Sequence, residues 1–248
     1  MRLTPHGQRE IMIGTIVLFV IAVAISFVHI ALALLVVPVA IWLFAFFRDP
    51  DRDITTDATA MVSPADGLVS DITDLETCDL VGGGPAVRIG IFLSVFNVHV
   101  NRSPCDGVVA SIVYKKGKFI NAMSHANASS DNESNTIVLN EPGTSEPVCA
   151  VKQIVGLIAR RIICEPKVGQ MLIRGQRIGM IKFGSRTELY IPKRLEPRVL
   201  VQVGAKVQGG LQILATVNQA ISIPAPVTTE RPAAAPGTPV ITSSLPLD

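Results

Sequence analysis

Three things are scarce in this chain, and each scarcity closes off a class of function. Cysteine is the first. The four present, Cys78, Cys105, Cys149 and Cys164, show no C-x-x-C spacing and no paired histidines, so no zinc site is expected. In a reducing cytoplasm they stay as thiols and read as small apolar fillers. Net charge is the second. Twenty-two basic residues face twenty acidic ones, giving +2, which points to neither nucleic acid nor an acidic partner. The third is charge of any sign near the N-terminus. From Ile11 to Phe47 there is no Asp, Glu, Lys or Arg.

That uncharged stretch raises the mean hydropathy to +0.44. It exceeds the roughly 7–15 apolar residues of a signal peptide and lacks a small-residue cleavage site. It is also longer than the roughly 20 residues one helix needs to cross a bilayer. Two helices breaking between Ser26 and Ile30 fit better, as a hairpin that spans or dips into a membrane. Arg2 and Arg9 precede it, and Arg48 and Arg52 follow. The positive-inside rule then places both ends in the cytoplasm. The competing reading is a buried helical pair in a soluble fold.

The 248 residues allow one ordinary domain with an appendage. We divide the chain into a membrane-associated helical segment (1–47), a globular body (48–223) and a disordered tail (224–248) rich in Pro, Ala and Thr. The body reads mostly as strand. Val87–Leu93, Val108–Tyr114, Thr136–Leu139, Arg177–Lys182, Glu188–Ile191 and Val199–Val203 are β-rich, and Gly and Pro punctuate them. Lys152–Cys164 is ambiguous, its β-branched content favouring strand. Ser63-Pro64-Ala65-Asp66-Gly67-Leu68-Val69 recurs as Ser103-Pro104-Cys105-Asp106-Gly107-Val108-Val109, and Val168–Ile181 echoes Val203–Ala215. The expected fold class is therefore mainly β, a sandwich or barrel-like hybrid with an internal hairpin repeat, plus the N-terminal helical hairpin. Asp66 and Asp106 are first of all turn residues, since Asp-Gly caps backbone amides.

Three segments together supply a nucleophile's parts: Asp66 in Ser63–Gly67, His99 in Asn97–Arg102, and Ser185 in Phe183-Gly184-Ser185-Arg186-Thr187. With Gly before it, the hydroxyl of Ser185 meets an unshielded peptide carbonyl. These segments resemble the phosphatidylserine decarboxylase proenzymes of short bacterial type. Phe47-Arg48-Asp49-Pro50, Phe96–Pro104, Asn132–Asn135, Ala159–Ile162 and Gly179–Arg186 also match, over residues 10–215.

The resemblance implies self-cleavage at Gly184–Ser185, giving a β chain (1–184) and an α chain (185–248) that stay together as a heterodimer and could assemble further. Ser185 becomes a covalent pyruvoyl cofactor, so neither pyridoxal phosphate nor a metal is needed. His99 acts as base and Asp66 fixes its tautomer. The pyruvoyl group forms a Schiff base with phosphatidylserine and releases CO2, leaving phosphatidylethanolamine. The site of action is the bacterial inner membrane, with the body on the cytoplasmic side and no nucleic-acid partner.

Longer members carry a second His three residues before the one matched by His99; here that position is Phe96. His125, Asn132, Glu133 and Asn135 read equally as loop residues or as substrate-facing ones. Lys115, Lys116 and Lys118 read as a solvated strand edge or as a headgroup contact. The alternative function is a membrane-anchored adaptor related to biotinyl and lipoyl carriers, although no Met-Lys presentation is found. A Ser hydrolase would need a G-x-S-x-G elbow, which is missing around Ser185.

Overall fold

In a computed structural model, the structure describes residues 2–119, 130–156, 161–182 and 184–221. The expected tail (224–248), His125, Ala159, Arg160 and Phe183 lie outside the described residues. The chain opens with β1 (Arg2–Leu3), followed by α1 (Gln8–Ser26), α2 (Ile30–Ala33), α3 (Val36–Phe46) and β2 (Arg48–Asp49). The break falls where the sequence places it, and His29 caps α2 by accepting the Ala31 amide. Pro38 sits in the first turn of α3, where no intrahelical donor is lost. Most α1 and α3 side chains are exposed, Phe19 and Ile41 among them. One helix, Pro5–Ser26, is long and apolar enough to cross a membrane. Antiparallel pairing of β1 with β2 (Arg2↔Asp49, Leu3↔Arg48) stitches the two ends of the hairpin together.

The body contains β3 (Ala60–Val62), β4 (Gly67–Leu75), β5 (Ala86–Leu93), β6 (Val100–Arg102), β7 (Gly107–Lys115), β8 (Ser134–Asn140) and β9 (Pro147–Val155). It continues through β10 (Ile162–Cys164), β11 (Met171–Leu172), β12 (Arg177–Ile181), β13 (Ser185–Pro192), β14 (Arg198–Val199), β15 (Lys206–Val207) and β16 (Ile213–Thr216). An eight-stranded sheet, curled into a half-barrel, has the order β11-β7-β8-β9-β13-β5-β4-β15. Two three-stranded sheets, β10-β12-β6 and β14-β16-β3, complete the body.

These orders reveal a duplication. β6 through β12 form one contiguous copy, and it is inserted between β5 and β13 of the other. The large sheet reads the same from either end once β4 is matched to β7, β5 to β8 and β13 to β9. The two Ser-Pro turns clasp each other: Val62 donates its amide to the Pro104 carbonyl, and Arg102 donates to that of Pro64. Val69 receives Gly204 as Val109 receives Gly169, both at 2.8 Å. The repeat read from the sequence is thus a structural one. Lys152–Cys164 contributes the end of β9 and the whole of β10. The strand expected over Val199–Val203 is shorter than expected, only Arg198–Val199. The chain must turn at Val203–Gly204 to bring Ala205 onto Val69.

Side chains alternate across β13. Leu189 and Ile191 enter the main core with Ile89, Ile91, Ile137 and Val151. Arg186, Glu188 and Tyr190 take the other face. Arg186 is fully buried and donates Nε to Glu188 (2.8 Å), Nη1 to Ser70 (2.6 Å) and Nη2 to Asp71 (2.6 Å). Gly90 makes this possible, because a methyl there would collide with the Arg186 guanidinium and the Asp71 carboxylate. Gly90→Ala should lower the unfolding free energy by about 3 kcal/mol, through overpacking and a disrupted buried ion pair. Denaturant melts in detergent would show it. Gly84→Ala, where a methyl meets nothing, is the control.

Candidate active site

β13 begins directly after a left-handed residue. Gly184 has a φ of 60°, a region where a side chain costs about 1 kcal/mol. The strand that follows is paired on both sides from its first residue, with Ser185 opposite Leu93 on β5 and Val155 on β9. Its hydroxyl is buried and has no hydrogen-bond partner.

His99 reaches this place from the start of β6. Its carbonyl accepts the Ile181 amide at 3.4 Å, just before the Gly184 turn. Two residues on, Asn101 Nδ2 donates to Thr187 Oγ1 at 3.2 Å. Residues two apart share a strand face. His99 and Ser185 each lie two residues before a partner of the Asn101–Thr187 contact.

The imidazole is fully buried, and Nδ1 lies 2.9 Å from the Asn97 carbonyl. A carbonyl only accepts, so the proton belongs on Nδ1, and Nε2 keeps its lone pair. Burial pushes the His99 pKa down to about 4. Arg48 adds to the fall, and the Asn97 carbonyl opposes it. The ring is thus neutral at pH 7. Among the described residues, the buried side-chain atoms without a partner are His99 Nε2, Ser185 Oγ and three guanidinium nitrogens of Arg88 and Arg174. An unpaired buried polar atom costs about 1–3 kcal/mol. A base nitrogen and a hydroxyl, both buried and both unpaired, are the kind of groups a reactive site leaves open.

Asp66 is placed differently. Its Oδ1 accepts the Gly209 amide (2.7 Å) and its Oδ2 an Arg52 guanidinium (2.8 Å). Its counterpart Asp106 likewise accepts the Arg174 amide at 2.7 Å. The structure does not bring the Asp66 carboxylate onto His99. It places Asp66 on the wall of a cavity of about 520 Å³ that Asn97, Ser94, Arg48 and Lys206 also line.

Sequence reasoning missed an amide chain that fixes β6 to β13. Asn135 Nδ2 donates to Gln153 Oε1 (3.0 Å), and Gln153 Nε2 donates to Asn101 Oδ1 (2.9 Å). Asn101 then reaches Thr187. Asn135 is thus one of the site's supports, and Asn132 donates to the Val155 carbonyl at 2.8 Å. Asn101 lay inside a motif read for His99 alone; Gln153 carried no signal at all.

A family model described as phosphatidylserine decarboxylase matches residues 39–215. The chain belongs to the phosphatidylserine decarboxylase family. Relatives named phosphatidylserine decarboxylase proenzyme agree. The protein of Carboxydothermus hydrogenoformans is 43% identical over 203 residues, 82% of this chain and 92% of the relative. That of Solidesulfovibrio magneticus is 47% identical over 175 residues, 71% and 78% of the two chains. That of Rhodopirellula baltica is 40% identical over 213 residues, 86% and 87%. As a member of this family the chain is a carboxy-lyase.

The buried imidazole also ties stability to pH. A folded pKa of about 4 against an ordinary 6.5 means the folded state binds fewer protons. Its contribution is whole above pH 6.5 and is lost as pH falls from there towards 4. Between pH 7.5 and 4.5, a Ser185→Ala protein should lose about 2–3 kcal/mol more than Ser185→Ala/His99→Gln. Paired denaturant melts at the two pH values check this.

Proposed function

We propose that this decarboxylase is made as a proenzyme that cuts itself between Gly184 and Ser185 and then acts on phosphatidylserine. The observation that carries the reading is the buried Ser185 hydroxyl, unpaired on the residue after a left-handed glycine, together with the unpaired Nε2 of His99, two residues from the Asn101 that bonds Thr187. His99 Nε2 takes the Ser185 proton. Oγ attacks the Gly184 carbonyl carbon, and the C–N bond breaks as the C–O bond forms, leaving an ester. Loss of the Ser185 α-proton expels the Gly184 carboxylate. The resulting dehydroalanine takes up water and releases ammonia, so residue 185 becomes an N-terminal pyruvoyl group. That group supplies an electron sink at which an α-amino acid can lose CO2. The chain's own residues hold it: the ladders to Leu93 and Val155 fix residue 185, and burial keeps water away.

Asp66 takes part from across the cavity. Anchored by Arg52 and Gly209, its carboxylate shares that cavity with Asn97, whose carbonyl holds Nδ1. It offsets the positive charge that appears on His99. Arg48 and Lys206 bring cations to the same cavity, which suits a phosphodiester headgroup.

Cleavage need not release the α chain. β13 lies between β9 and β5, β15 pairs with β4, and β16 with β3. The two chains remain one folded heterodimer. The apolar hairpin anchors the body to the bilayer where the substrate lies, with its flanking arginines on the cytoplasmic side.

Intact-mass analysis tests the reading. The wild type should give two fragments meeting at 184/185, the small one blocked at its N-terminus, and Ser185→Ala should stay whole. An uncut wild-type chain under active conditions sinks the proposal. Asp66→Asn should slow processing at least tenfold, followed by gel over time. Wild-type speed would reduce Asp66 to a turn residue like Asp106.

A further inference from the structure

The hairpin does more than tether. At its foot Phe46 and Phe47 are buried with Met180 of β12, and Ile11, Trp42, Leu43 and Ile163 pack around them. The Phe46 ring lies 4.3 Å from that of His99, tilted by 35°. Trp42 Nε1 donates to the Val95 carbonyl (3.3 Å) and Arg48 Nη2 to that of Phe96 (2.8 Å), so the loop leading into His99 hangs from the same foot. The other arm of the site is tied down as well. Lys182, two residues before Gly184, donates Nζ to the His6 carbonyl (2.9 Å) and to Glu10 (2.6 Å) at the start of α1. Asp49 completes the joint, taking Arg102 of β6 on one oxygen and Arg177 of β12 on the other. Phe47-Arg48-Asp49-Pro50 is therefore a joint between the anchor and the two strands, β6 and β12, that flank His99 and lead to the Gly184 turn.

We propose that Phe46 is a positioning residue for His99, and that self-cleavage requires the membrane hairpin to be docked on the body. The inference rests on the self-cleavage reading above. Phe46 covers the imidazole, excludes water from it and fixes its tilt, so Nε2 stays neutral. The charged and titratable groups on the elements packed here are His6 just before α1, Arg9 and Glu10 at its start, Arg48 and Asp49 of β2, Arg102 of β6, and Arg177 and Lys182 on and after β12. Glu10 pairs with Lys182, Asp49 with Arg102 and Arg177, and His6 with Glu165, while Arg48 is the one that bears on His99.

Histidine NMR titration in the uncleavable Ser185→Ala protein tests this apart from the cleavage chemistry. The chain has four histidines, so the His99 signal is assigned by comparison with His99→Gln. With Phe46 in place its pKa should lie near 4. Adding Phe46→Leu, which keeps bulk but removes the ring, should move it towards 6.5, and Phe46→Tyr should return it. In cleavable protein, Phe46→Leu should process near the wild-type rate at pH 8 and at least fivefold more slowly at pH 5.5. The wild type should process alike at both. A His99 pKa and pH profile unchanged by Phe46→Leu overturn the proposal, as does a loss equal at both pH values with the fold intact. Should Ser185→Ala still be cut, the self-cleavage reading fails, while the titration still decides the role of Phe46.

Discussion

Everything in this molecule depends on β13 being gripped from both sides at its first residue. A strand paired on both sides has no slack in register, because a one-residue slip would throw Leu189 and Ile191 out of the core and Arg186 into it. Ser185 is therefore held by long ladders rather than by contacts of its own, and its hydroxyl is left without a partner. The polar face reinforces this. Arg186, enclosed by Ser70, Asp71 and Glu188 above Gly90, pins the strand next to Ser185. A strand built this way holds its place independently of the peptide bond before it.

The duplicated architecture explains where that bond lies. One copy is inserted in the other, and the chain passes back from the inserted copy to the host between Ile181 and Ser185. This junction connects two copies that share a core and a sheet. The segment from Ser185 onward completes the host copy through β13, β15 and β16. The same duplication sets its two Asp-Gly turns in different surroundings. Asp66 and Asp106 accept equivalent backbone amides, but only Asp66 also has Arg52 and the cavity wall.

The anchor and the chemistry meet in the short run from Phe46 to Pro50. Aromatic packing buries His99, arginine contacts hang the Val95–Phe96 loop, and Asp49 clamps β6 and β12.

The sequence by itself determined the hairpin, the β-rich body, the Ser-Pro-x-Asp-Gly repeat and the pairing of a glycine with a serine at 184–185. Each is local: hydropathy over a continuous run, alternation along a strand, a turn signature, a dipeptide. The tertiary structure alone decided which polar groups meet. It set Asp66 on Arg52 and Gly209 rather than on the imidazole, gave His99 a backbone carbonyl as its orienting partner, and drew Gln153 and Asn135 into the support of Asn101. Apart from the His99–Asn97 contact, which spans two residues, those contacts join residues 14 to 143 positions apart, across elements whose order no local pattern encodes. The burial that sets the protonation of His99 likewise comes from Phe46, a residue that in sequence is only the end of an apolar helix.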